Sequence, residues 1–348
     1  MNRIILIAGL ALLAPVAHAD EPSLKKFTPP AKSSKDEPIA KQFSMAKAVD
    51  FLDNIALDWT QNRGCFSCHS NLSYLYARPT VSANAPAHAD IRRSLEELVT
   101  KRWPDKKPRW DAEVVVAAAA LAHNDANTTK KLHPVTKTAL DRMWTVQQKD
   151  GGIRWLKLSL PPMEWDDHYG VTLAALAVGV APEDYAKSEQ AKIGLDGLKR
   201  WLKANPPRNL HHEMMLLWVS SYLNGILTEA QQQEIQKKLR GKQLPDGGWS
   251  ASSLGEWPRA DKSPQTRDVS DGYGTGFSIY TLRRAGVPAS DPALVKGVAW
   301  LKANQRGSGR WFTRSLVKDE THYLSHVGSA FAIMAIQACE EKSVSRRR

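Results

Sequence analysis

The stretch Gln243-Leu244-Pro245-Asp246-Gly247-Gly248-Trp249 ends one helical segment, and its pattern occurs in two further places. Gln147-Gln148-Lys149-Asp150-Gly151-Gly152-Ile153-Arg154-Trp155 lies upstream, and Asn304-Gln305-Arg306-Gly307-Ser308-Gly309-Arg310-Trp311 lies downstream. Each copy joins a Gln at a helix end to a glycine turn and then a Trp. Each is followed, after a loop, by a helix rich in small residues, in Gly170–Gly179, Gly272–Ala285 and Val327–Ala338. Glycine permits the positive φ that stops a helix, and the indole can pack on the next repeat. Recurrence at irregular spacings of tens of residues marks stacked helical hairpins.

Outward from these turns, apolar residues recur at helical spacing through Met45–Trp59, Ile91–Trp103, Glu113–Ala122, Val135–Gln147, Val171–Val180, Ile193–Leu202, Glu213–Leu223, Ala230–Leu239, Gly276–Ala285, Pro292–Leu301 and Val327–Ala338. Asn71–Tyr76 starts one more. The pattern predicts an all-α chain of about twelve helices, or six hairpins. Six hairpins close one α/α toroid over residues 44–340, an outer ring of helices around an inner ring. An open α-solenoid is the alternative.

The Gln-to-Gly-x-Trp turns resemble the QW motifs of squalene cyclases, lanosterol synthases and the prenyltransferase-like α/α toroids. The resemblance runs from about Met45 to Cys339. It departs at Ala204-Asn205-Pro206-Pro207 and at Pro104-Asp105-Lys106-Lys107-Pro108, where the motif has decayed. It implies a toroid fold and, by analogy, acid-initiated cyclase chemistry. The cyclases protonate with an Asp in Asp-x-Asp-Asp-Thr-Ala. Glu164-Trp165-Asp166-Asp167-His168-Tyr169 resembles that motif, with Glu for the first Asp and His-Tyr for Thr-Ala. The cyclases also use two toroid domains, and this chain is long enough for one.

The termini bear on compartment. One cation, Arg3, precedes an apolar run from Ile4 to Val16 and the small-x-small site Ala17-His18-Ala19. This is the order of a secretory signal peptide over residues 1–19 and predicts a periplasmic or secreted protein; a retained anchor is the alternative. No later segment reads as membrane-spanning. Residues 20–43 are rich in Pro and Lys and read as a disordered linker. Residues 341–348 form a basic tail. The formal charge of +12 suits an acidic redox partner, anionic headgroups or an anionic substrate, or solubility alone. The cations are scattered over helical faces, and export argues against nucleic acid.

Of three cysteines, two fall in Gly64-Cys65-Phe66-Ser67-Cys68-His69. This is the c-type haem attachment signature. Two thiols at this spacing reach the two vinyl groups of one porphyrin, and the following His lies under the iron as an axial ligand. A zinc site would want a second Cys/His pair, whereas Cys339 stands alone and reads as a buried apolar residue. A redox dithiol would want a βαβ context. The expected cofactor is one covalent haem c, held by Cys65, Cys68 and His69. The motif takes the place of the first hairpin's turn, so the haem is expected over the mouth where inner helices begin, looking down a central cavity.

The starts of the inner helices are polar. Trp110-Asp111-Ala112-Glu113, Glu164 to Tyr169, His211-His212-Glu213, Asp271-Gly272-Tyr273 and Thr321-His322-Tyr323-Leu324-Ser325-His326 all fall there. Acids at helix starts also serve as N-caps, a reading open for Asp111 and Asp271. Histidines gain nothing from that argument, so His168, His211, His212 and His322 at these ends suggest a lined cavity, and Asp166, Asp167, His168, Asp271 and His322 are the candidate catalytic residues. His322 and His326 share a helical face. The sixth iron ligand decides function. Met163, in Pro161-Pro162-Met163, resembles the proline-flanked methionine loops of small cytochromes c. His168 and His322 are its rivals, and gap filling is its plain structural role.

Three functions remain open on these residues: an electron-transfer cytochrome or haem-dependent oxidoreductase, with a redox protein or an apolar small molecule as partner; a cyclase-like acid–base enzyme; and a repeat scaffold for partner binding.

Overall fold

The computed structural model describes residues 21–63, 66–67, 69–319 and 323–340. The segment 1–20, Cys65, Cys68, His322 and the tail from 341 onward lie outside the described residues.

The described residues form helices and isolated bridges, without a strand. The outer helices are α1 (Met45–Arg63), α3 (Pro86–Glu97), α5 (Pro134–Trp144), α7 (Glu189–Ala204), α9 (Glu229–Gly241) and α11 (Pro292–Ala303). They alternate with the inner helices α2 (Asn71–Val81), α4 (Asp111–Asn127), α6 (Asp167–Val180), α8 (Leu210–Ser220), α10 (Gly272–Arg284) and α12 (Tyr323–Glu340). α3 runs on through a π-helical segment, Leu98–Arg102, and a last turn, Trp103–Lys106. Each inner helix packs on the next, and α12 packs on α2, so the ring is closed rather than an open solenoid.

Composition explains which helix goes where. α4 carries an unbroken buried run from Ala112 to Asp125, because an inner helix meets protein on every side. α7 buries one stripe, Ala191, Gly194, Leu195, Gly197 and Leu198, and gives its remaining face to water. Caps start the helices: Ser188, Asn209, Thr228 and Asp291 each accept a backbone N–H of the following turn.

The repeated turns act as staples. Gln147 Nε2 donates to the carbonyls of Gly151 and Gly194, and Gln243 Nε2 to those of Gly247 and Ala293. One bond closes the turn and the other ties it to the next outer helix. Gln305 repeats this with Gly309 and Ser44, joining the last hairpin to the residue before α1. The turn glycines are required twice over. Gly151 has φ +92°, and a Cβ there would lie 2.1 Å from the Gly197 carbonyl oxygen. Trp249 and Trp311 donate their indole N–H to Leu239 and Leu301 of the preceding outer helix, both at 2.7 Å.

Two expectations are corrected. The 20–43 segment, read as a disordered linker, is an ordered strap over residues 21–43 among those described. Its polar residues find partners on the seam between the first and last hairpins. Glu37 pairs with Arg310 at 3.0 Å, Gly307 N donates to Pro38 O, and Ala40 N donates to Gln305 O. Thr28 N reaches Asn54 Oδ1, and Leu24 N reaches Asp90 Oδ2. Secondly, the axis of the toroid is filled with rings where a central cavity was expected. Trp218 meets Phe277, Tyr280 and Phe331 at 5.3–6.2 Å, and Phe277 meets Phe331 at 4.8 Å. Tyr76 and His123 close the same stack from α2 and α4.

Candidate functional site

The polar residues gather on the mouth where inner helices begin, in two adjoining groups carried by one loop. The loop runs from Trp155 to Asp166, between the first repeated turn and α6. Leu160 and Glu164 exchange backbone hydrogen bonds, so Pro161, Pro162 and Met163 form the tip of a small hairpin. Trp155 anchors it. In the other two repeats the indole bonds its own outer helix, but Trp155 Nε1 donates to Met163 O at 2.6 Å. Asp167 accepts from Trp155 N and pairs with Lys157 at 2.9 Å. That candidate catalytic carboxylate therefore holds the loop to the start of α6.

His69, the last residue of the Cys65-to-His69 segment, is buried. Its ring stacks on Tyr323 at 4.5 Å and meets the edge of Trp59 at 5.1 Å. Nδ1 lies 3.3 Å from Ser67 Oγ, and Nε2 lies 3.4 Å from Glu164 Oε1. His69 and the buried Met163 line one narrow cavity, with Leu160, Pro161, Val317 and Leu324 as its apolar walls. The structure thus brings together two of the residues singled out in the sequence. His322 lies outside the described residues.

The second group surrounds Asp166, the N-cap of α6. Its Oδ1 accepts from His168 N, and its Oδ2 lies 3.3 Å from His212 Nε2. The Arg208 N–H donates to His212 Nδ1, so the proton of a neutral His212 sits on Nε2, toward Asp166. Burial pushes the Asp166 carboxyl up, but the hydrogen bond and charge of His212 outweigh it and hold the carboxyl below its usual range. His168 stacks face to face on His212 at 4.1 Å. Burial, then the neighbouring His212, pushes its imidazole down to about 3. His168 is therefore neutral near pH 7, and it lines a second cleft rather than the cavity of His69 and Met163. This cleft of about 420 Å³ is walled by Trp165 and Trp201 and rimmed by Lys157 and Arg208.

Asp271 belongs to neither group. It caps α10, accepting from Gly274 N, Ala251 N and Thr313 Oγ1. Burial pushes its carboxyl up to about 6 against these donors. Its placement is that of a structural junction between the last two hairpins. His211 likewise turns into the axis, where Nε2 meets Tyr273 Oη at 2.7 Å. Cys339 is half buried, and burial pushes its thiol up to about 11. The sequence marks Glu164 and His212 only as members of the polar mouth, without their partners, and does not single out Trp201. No local pattern gives their roles, because their partners lie tens of residues away.

No family model and no curated protein matches the sequence. Solved structures do. The ent-copalyl diphosphate synthase from Streptomyces platensis is similar to this chain with a TM-score of 0.52 and 15% identity, covering 77% of this chain and 49% of the synthase. The chain thus spans about half the length of that enzyme. A glycosidase, solved as a point variant, is similar with a TM-score of 0.55 and 8% identity, covering 84% of this chain and 96% of that one. At these identities the likeness concerns the fold, which is of the α/α toroid type.

Proposed function

We propose that this chain is an exported mono-haem c-type cytochrome, in which Cys65 and Cys68 would supply the attachment thiols and His69 and Met163 would hold the iron. One observation carries the reading: the His after the CxxC pair and the Met of a proline-rich loop, far apart in sequence, line the same apolar cavity. The donor set fits. An imidazole and a thioether are the ligands of electron-carrying haem, which supplies one-electron chemistry when bound. Ser67 Oγ stands where it can accept the His69 Nδ1–H, so that Nε2, 3.4 Å from Glu164 Oε1, would be the nitrogen to ligate once that carboxylate withdraws. Tyr323 and Trp59 fix the ring plane, and the Trp155 bond fixes Met163.

The test is spectroscopic. Mature protein, expressed with a competent haem-ligation system, is expected to show a Soret band that persists after denaturation, together with a near-infrared sulfur-to-iron band. Met163→Ala is expected to abolish the second band, and Cys68→Ala the covalent attachment. A chain without Soret absorption would overturn the reading.

A second reading is a toroid enzyme working by acid–base chemistry, and the likeness of fold to a diphosphate synthase and a glycosidase favours it. The observation on its side is the Asp166–His212 pair beside a neutral His168 in an open cleft. A paired carboxylate held ionised is a base rather than a proton donor, which departs from the cyclase pattern. Asp166→Asn is expected to abolish any such activity without altering a haem spectrum.

A further inference from the structure

We propose that the cleft between Trp165 and Trp201 binds a neutral sugar ring. The inference rests on the cleft of the second reading and is independent of haem.

Three features of the cleft converge on this class of ligand. The first is charge balance. Lys157 and Arg208 on the rim are matched by Asp166 and Asp167. A ligand of either sign meets groups that repel it, whereas hydroxyls, which both donate and accept, can use all four. The second is the pair of half-buried indoles, one from the loop before α6 and one from α7. Flat apolar faces beside polar groups suit a ring with a C–H face and a hydroxylated edge.

The third is His168. It is 5% exposed, lines the cleft, and neither of its ring nitrogens is hydrogen-bonded within the protein. A buried polar atom left without a partner costs about 1–3 kcal/mol, so such an imidazole points to a bound group. Its neutral form, favoured by burial, offers one donor and one acceptor, the complement of a hydroxyl. A metal ion is the other occupant two histidines suggest, but the parallel rings of His168 and His212, 4.1 Å apart, do not converge their nitrogens on one point.

The experiment titrates mature protein with methyl β-glucopyranoside, methyl α-mannopyranoside and acetate, following tryptophan fluorescence and saturation-transfer NMR. At least one glycoside is expected to bind saturably, with a Kd on the order of 1 mM. Trp201→Ala and His168→Phe are each expected to weaken it about tenfold or more. Arg208→Ala, at an exposed position that leaves the fold intact, is expected to weaken it several-fold, and Trp300→Ala, on another outer helix, to leave it unchanged. Circular dichroism verifies that each variant is folded. Absence of saturable glycoside binding, binding indifferent to all three cleft variants, or binding of acetate alone would overturn the proposal. Cys68→Ala is expected to leave glycoside binding intact, which separates this outcome from the fate of the haem reading.

Discussion

His69 Nε2 lies 3.4 Å from Glu164 Oε1, both groups being buried. Nε2 is also the atom with which His69 would hold the iron of the proposed haem. The two engagements exclude each other, so on the proposed haem reading ligation by His69 would require this pair to part. Glu164→Ala is therefore expected to load haem at least as fully as the parent chain, measured as Soret absorbance per chain. A fall in loading would show instead that the carboxylate holds His69 in place.

Trp155 departs from its two counterparts by reaching forward to Met163. Trp155→Phe keeps the ring and removes the N–H. The Met163 carbonyl then loses a buried partner, an expected cost of about 1–3 kcal/mol. Urea unfolding measures that loss, and the sulfur-to-iron band is expected to weaken alongside it. The same change at Trp311 is expected to lower stability and leave the band intact.

Gln305 makes three hydrogen bonds at the ring seam: two donated to Gly309 and Ser44, and one accepted from Ser44 N. Gln305→Ala removes them all, for an expected loss of about 2–4 kcal/mol at roughly 1 kcal/mol per bond. Gln147→Ala severs the equivalent bonds within the ring and is expected to cost slightly less. Equal melting temperatures for the parent and Gln305→Ala would refute the staple.

Buried histidines make stability sensitive to acid. His88 is held to about 4, and His123 and His168 to about 3, all chiefly by burial. Each lies below the unfolded value near 6.5. The unfolded chain therefore takes up protons first as pH falls, and stability drops from pH 6.5 down to about 3, by about 1.4 kcal/mol per pH unit for each group. Asp271, raised to about 6, works in the opposite direction between pH 6 and about 4. Three histidines outweigh one carboxyl, so the urea midpoint is expected to fall steeply between pH 6.5 and 4. His123→Leu is expected to flatten that slope by one proton.

The ring was legible in the turns: a Gln, a positive-φ glycine and a Trp at a helix end encode a stop locally. The second bond of each Gln was not, since Gly194, Ala293 and Ser44 become neighbours only on closure. The strap escaped notice because its composition is that of a solvated linker, and its partners, Arg306 and Arg310, are supplied by the far end of the chain. At the mouth, residue type singled out His69, Met163, Asp166 and His168. Asp271 takes the helix-capping role the sequence left open for it, and Asp167 anchors the loop, a role visible only once Trp155 and Lys157 come to it in the fold. Residue type undervalued Glu164, Trp201 and His212, whose placement depends on two loops meeting in space.

The bond from Gln305 to Ser44 leaves the molecule without an end hairpin. A linear stack of repeats can peel inward from either terminus, one unit at a time. A wheel of six spokes offers no such starting point, because lifting any one bares two neighbours at once. Thermal melting is accordingly expected to be a single cooperative event, and new termini cut between any two spokes, with the old ones joined, are expected to reproduce the same wheel.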